Sequence, residues 1–140
     1  MSDTIATIIV IDDDAINNSV CEKLVSLTFP GTKVYSFTEA SSALRHLRSN
    51  GITEPAVMLL DIDMPDPTGW ETVEQFSLLP DEITRKVRIV MLSSSLNPKD
   101  IDRARNNDRI GGYVLKPLSV SKLQTIANSL DKAYIDLSES

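Results

Sequence analysis

Asp12, Asp13, Asp61, Ser93 and Lys116 each stand directly after a short apolar run. Asp12-Asp13-Asp14 follows residues 5–11, Ile-Ala-Thr-Ile-Ile-Val-Ile. Asp61 ends Val57-Met-Leu-Leu60, with Asp63-Met-Pro65 just beyond. Ser93-Ser94-Ser95 follows Val87-Arg-Ile-Val-Met-Leu92, and Lys116-Pro117 follows Gly112-Tyr-Val-Leu115. Short, uninterrupted apolar runs of this kind read as strands buried on both faces. If the strands are parallel, their polar ends share one sheet edge, where open α/β sheets bind ligands.

A carboxylate in that position serves as metal ligand or as nucleophile. Two like charges about 4 Å apart repel by about 4 kcal/mol at an effective dielectric near 20. Such an acid cluster needs a cation, and one ammonium, Lys116, does not neutralise three carboxylates. Oxygen ligands with positions left for water suit Mg²⁺. The site therefore reads as built for a metal and an incoming anion. A phosphoryl group fits, with Mg²⁺ and Lys116 on its oxygens, Ser93 donating a hydrogen bond and Asp61 attacking.

The elements that must hold these residues alternate. After the first strand, Asp14 caps a helix with Ile16, Val20, Leu24 and Leu27 on one face, ended by Pro30-Gly31. Lys33–Phe37 is a strand, and Thr38 caps a helix carrying Ala40, Ala43, Leu44 and Leu47 inward up to Asn50-Gly51. The strand at 56–60 precedes a capping box, Thr68-Gly-Trp-Glu71, that opens a helix through about Leu79. Asn97-Pro98 starts a fourth helix whose only apolar anchors are Ile101 and Ala104, so it is weakly held and free to shift. Ser119 starts the last helix, with Val120, Leu123, Ala127, Leu130 and Tyr134 in register. Five strand–helix alternations predict a parallel sheet with helices on both faces.

Composition bounds the function. A length of 140 residues is one ordinary domain, read as 1–140 with a core of about 5–135. The net charge of −6 argues against direct nucleic-acid or anionic-membrane binding. No basic leader or membrane-length apolar run is visible. The lone cysteine, Cys21, reads as a small buried hydrophobe in a reducing, cytoplasmic protein. The lone histidine, His46, reads as a solvated side chain, and Trp70 as a packing residue. No Gly-rich turn precedes a Lys-Ser or Lys-Thr pair, which excludes a P-loop.

The sequence resembles the receiver domain of two-component response regulators. The carriers are Ile11-Asp12-Asp13-Asp14, Leu59-Leu60-Asp61-Ile62-Asp63-Met64-Pro65 with Gly69, Met91-Leu92-Ser93-Ser94 and Tyr113-Val114-Leu115-Lys116-Pro117, spread over nearly the whole chain. The resemblance implies a flavodoxin-like (βα)5 fold with a five-stranded parallel sheet in the order 2-1-3-4-5. It implies phosphoryl transfer to Asp61 from a histidine kinase or a histidine phosphotransfer protein. Asp12, Asp13 and Asp61 would hold Mg²⁺ with the backbone carbonyl of Asp63. Ser93, Ser94 and Lys116 would bind the phosphoryl group. Ser93 and Tyr113 would switch the surface of the fourth helix, fifth strand and fifth helix, which controls a partner protein. Asp63 and Ser95 occupy positions that commonly tune the phosphoryl lifetime, and Lys116-Pro117 would be cis. Pro67 replaces an apolar residue and Ser93 the commoner threonine. The implied protein is a stand-alone receiver, monomer or weak dimer, and not an enzyme with an external product.

Two other readings compete. Asp61-Ile-Asp63 has the Asp-x-Asp spacing of haloacid-dehalogenase-like phosphatases, but that motif normally follows the first strand and its acid pair comes later. A receiver-like interaction module that is never phosphorylated would not need Asp13, Asp61, Ser93 and Lys116 all intact.

Overall fold

Every residue of the third strand, Ala56–Asp61 (β3), is buried, so Asp61 is delivered by the middle of the sheet. The computed structural model describes residues 5–139; the reading of Met1–Thr4 lies outside them. Before β3 come β1 (Thr7–Ile11), α1 (Ala15–Thr28), β2 (Lys33–Phe37) and α2 (Ala40–Asn50). After it come α3 (Gly69–Phe76), α4 (Asp81–Thr84), β4 (Val87–Ser93), α5 (Pro98–Arg105), β5 (Ile110–Leu115), α6 (Val120–Asn128) and β6 (Ile135–Leu137). The sheet runs β2-β1-β3-β4-β5-β6 with every pair parallel. The flavodoxin-like order 2-1-3-4-5 is therefore present, with a sixth strand added on β5.

Alternation along the strands sends side chains to two cores. Ile9, Ile11, Met58, Leu60, Ile89, Met91 and Tyr113 face α2, α3 and α5. Ile8, Val10, Val57, Leu59, Val90 and Val114 face α1 and α6. A buried aliphatic side chain contributes about 1.5–3 kcal/mol, so these two layers hold the strand ends in register.

Local signals act where expected at several termini. The Asp14 carboxylate accepts from the Ile16 amide, Thr68 and Glu71 close their capping box, and Asn97 and Ser119 cap their helices. Thr38 is not a cap; α2 starts after Glu39, without a side-chain cap bond. The helix expected through Leu79 stops at Phe76, and the single-turn α4 follows Pro80. His46 is half-buried against Tyr35 and Phe37.

Two helices differ from the pattern the sequence predicts. The inner face of α1 is Asn18, Cys21 and Val25, while Ile16 and Val20 are 73% and 53% exposed and Leu27 is also outside. The Asn18 amide turns the helix by donating to the backbone carbonyls of Asp12 and Phe37. The last helix ends at Asn128, before Leu130 and Tyr134. Arg88 of β4 donates to the carbonyls of Leu130 and Lys132, which a continuing helix would have used. The chain then extends, and the alternating Ile135-Asp136-Leu137 pairs with β5.

Candidate functional site

The carboxyl ends of β1, β3, β4 and β5 meet as the alternation requires. Asp12, Asp13 and Asp61 each offer an oxygen within 4.8 Å of the others. Asp12 and Asp61 are buried and Asp13 is exposed. The Lys116 ammonium lies 3.2 Å from Asp61 Oδ1 and 3.7 Å from Asp12 Oδ2. Asp61 Oδ1 also accepts from the Asp63 amide at 3.0 Å, which leaves Oδ2 as the oxygen without a protein donor among the described residues. The side chain of Asp63 is exposed.

Burial pushes the Asp61 carboxyl above its ordinary range. The Asp63 amide and Lys116 oppose that rise, and the Asp12 charge adds to it. Burial by itself pulls Lys116 down, but Asp61 and Asp12 together carry it above the usual lysine value. Two buried carboxylates thus share one half-buried ammonium, and a third acid stands at the mouth. Three hard oxygen donors in negative excess form a site that can hold a divalent metal ion.

Ser93, at the end of β4, is fully buried, and its Oγ accepts from the Ser95 amide at 2.9 Å. A hydroxyl can donate as well as accept, and the Tyr113 hydroxyl lies within reach of Ser93. Ser94 is exposed. Ser95 Oγ donates to Asp100 in the first turn of α5 at 2.9 Å. Tyr113 is fully buried and its hydroxyl donates to the Ser95 carbonyl at 2.8 Å. Burial raises its pKa. The structure thus gathers Asp12, Asp13, Asp61 and Lys116 in one cluster and joins Ser93 and Tyr113 through Ser95. Lys116-Pro117 is cis, and so is Asp66-Pro67 in the loop after β3.

Three further residues position the site. Asn18 braces the carbonyl of Asp12, a role invisible in a polar residue on an amphipathic helix. Gly69 lets α3 approach β3; a Cβ there would lie 2.7 Å from Ile62 Cα and 2.8 Å from the Asp61 carbonyl oxygen. Asp100, in the first turn of α5, ties the helix to the Ser95 loop.

Fold and site together define an α/β domain with an acidic cluster at the carboxyl edge of its parallel sheet, and comparison with known proteins gives the family. Residues 8–128 match the response regulator receiver domain, and the chain belongs to that family. It is similar to a two component response regulator from Cytophaga hutchinsonii, with 30% identity and a TM-score of 0.81 over 92% of this chain and 99% of that one. A response regulator receiver protein from Dyadobacter fermentans DSM 18053 shares 32% identity, with a TM-score of 0.78 over 85% of this chain and 92% of that one. The probable methanogenesis regulatory protein FilR2 of Methanothrix harundinacea (strain 6Ac) is 26% identical, over 95% of this chain and 85% of its own length. Among the described residues no helix is long and apolar enough to cross a membrane.

Proposed function

We propose that this chain accepts a phosphoryl group on Asp61 and works as a switch or shuttle, without turning over an external substrate. The observation that carries this is the Asp61 carboxylate beside Lys116, with Asp12 and Asp13 in the same cluster. The donor is a phosphohistidine on a kinase or phosphotransfer protein. Its P–N bond breaks as Asp61 Oδ2 bonds to phosphorus, and the imidazole leaves with the electron pair and takes up a proton. Asp12, Asp13 and Asp61, with the Asp63 carbonyl, are the residues that would hold Mg²⁺. When bound, Mg²⁺ neutralises charge on the phosphoryl oxygens. Lys116 orients those oxygens, and Ser93 donates its O–H to one of them. That bond draws on the loop whose Ser95 ties to Asp100 and Tyr113, which supports a switch reaching α5 and β5.

The exposed Ile16 and Val20 of α1 support a docking place for the donor. Val20 and Leu24 share a cleft of about 150 Å³ with Asp12, Lys116, Pro117 and Leu118. An apolar helix face beside the acceptor suits a helical partner that must bring a histidine to Asp61.

The test is intact-protein mass after incubation with acetyl phosphate, with Mg²⁺ and again with a chelator. One Mg²⁺-dependent phosphoryl adduct, absent from a folded Asp61→Ala variant, is expected. A labelled Asp61→Ala protein, or no adduct under any condition while the histidine donor also fails, would overturn the reading.

A further inference from the structure

We propose that the outer edge of β5, covered in this structure by β6, is the surface on which the domain receives an extended segment of a partner protein. That segment carries an acidic residue between two apolar ones, and phosphorylation of Asp61 uncovers the edge. The control by Asp61 rests on the phosphoacceptor reading above; the surface itself does not.

The occupant in cis shows what the edge accepts. Gly112, Tyr113 and Val114 pair in parallel with Ile135, Asp136 and Leu137. A Cβ at Gly112 would lie 2.9 Å from the Ile135 carbonyl oxygen, so the absence of a side chain there opens the edge to a closely approaching strand. Ile135 is buried, Leu137 is half-buried, and Asp136 points its carboxylate to Arg105 at 2.6 Å. The edge therefore reads apolar, acidic, apolar.

The cover is built to come off. It is three residues long and the Arg105–Asp136 pair is largely exposed, so it holds weakly. The Tyr134 hydroxyl leading into it is buried without a hydrogen-bond partner among the described residues, and opening returns it to water. A bare strand edge is a template for strand addition.

Two routes run from the acceptor site to this cover. One passes from Ser93 through Ser95 to Asp100 and along α5 to Arg105, which holds Asp136. The other passes from Ser95 to Tyr113, which lies opposite Asp136 in the ladder. A shift of α5 or of Tyr113 therefore acts on β6 first.

The probe is a fluorescent synthetic peptide of residues 133–139, titrated into the full chain. Asp136→Asn weakens the cover in cis and leaves Arg105 free for the peptide's acid. Because apparent affinity falls with the fraction of open edge, this variant is expected to bind the peptide at least fivefold more tightly than the unaltered chain. A peptide with Asn in place of its Asp should bind at least threefold more weakly. Amide exchange should quicken at 135–138 and stay unchanged in β1 and β3. Equal binding by both chains, or indifference to the acid, would overturn the surface. The chain carrying a phosphoryl group, verified by mass, should match the fivefold gain; a labelled chain without it would overturn the control. Failure to label would strike the phosphoacceptor reading and the control together, while the Asp136→Asn titration still judges the surface.

Discussion

Asp61 is held in a place that burial makes unfavourable for its charge, and only Lys116 and the Asp63 amide compensate. Removing an acid from such a cluster should weaken cation binding more than it weakens the fold. Asp13 is the exposed member, so Asp13→Ala is expected to lower Mg²⁺ affinity about tenfold or more, read by titration, with little change in unfolding midpoint. Unchanged affinity would mean that the metal sits elsewhere. Cys21 is a separate case. Burial lifts its thiol from 9.0 to about 11. At pH 8 its thiolate fraction then drops about a hundredfold, so alkylation of the native protein should be slower than that of the unfolded chain by at least about that factor. The linked stabilisation is present below pH 9.0 and is lost as pH rises through about 11.

Among the elements, α3 and α5 differ in how they are held. α3 is locked at its start by the capping box and by Gly69 against the backbone of β3. Gly69→Ala forces that backbone apart, because the nearest atoms are main chain and have no rotamer to yield. We expect a loss of about 1–3 kcal/mol in denaturant unfolding and a marked drop in phosphoryl uptake, since Asp61 moves with Ile62. Normal uptake in the variant would show that the contact does not position Asp61. α5 buries only Ala104 fully and packs Ile101 partly against the core, and polar contacts at Asp100, at Arg103 over Trp70 and at Arg105 add to that hold. Weak polar tethers on a helix without a broad apolar face are what an element with two positions needs. The weak hold was legible from Ile101 and Ala104 alone; the tethers of Asp100 to Ser95 in the preceding loop, of Arg103 to Trp70 and of Arg105 to Asp136 were not, because they depend on how the chain folds back on this helix.

For the whole molecule, β6 closes the sheet at its weakest margin, and acid should loosen it there. The Ser138 hydroxyl first, then the Ser138 amide and Arg105, hold the Asp136 carboxyl below its ordinary 3.8, against burial, which is the second-largest influence and raises it. Its contribution is present above 3.8 and is lost as pH falls through the lower folded value. In an NMR pH titration the amides of Ile135–Ser138 should report that protonation below pH 3.8, after the amides around Asp61 have already responded to its raised pKa at higher pH. Simultaneous loss of all strands would show that β6 is not a separate unit.

The sequence by itself determined the parallel α/β fold and the meeting of Asp12, Asp13, Asp61 and Lys116. Buried strands must be continuously apolar, and any polar residue ending one in a parallel sheet must reach the same edge. It did not determine which side of α1 faces inward, because Ile16 and Val20 compete there with Cys21 and Val25, and two hydrogen bonds from Asn18 decide the outcome. Nor did it show where the last helix stops. Leu130 and Tyr134 keep helical spacing, but the Arg88 guanidinium, distant in sequence, takes the carbonyls the helix would have used. That capture lets Ile135–Leu137 become a strand, and only tertiary contact could decide it.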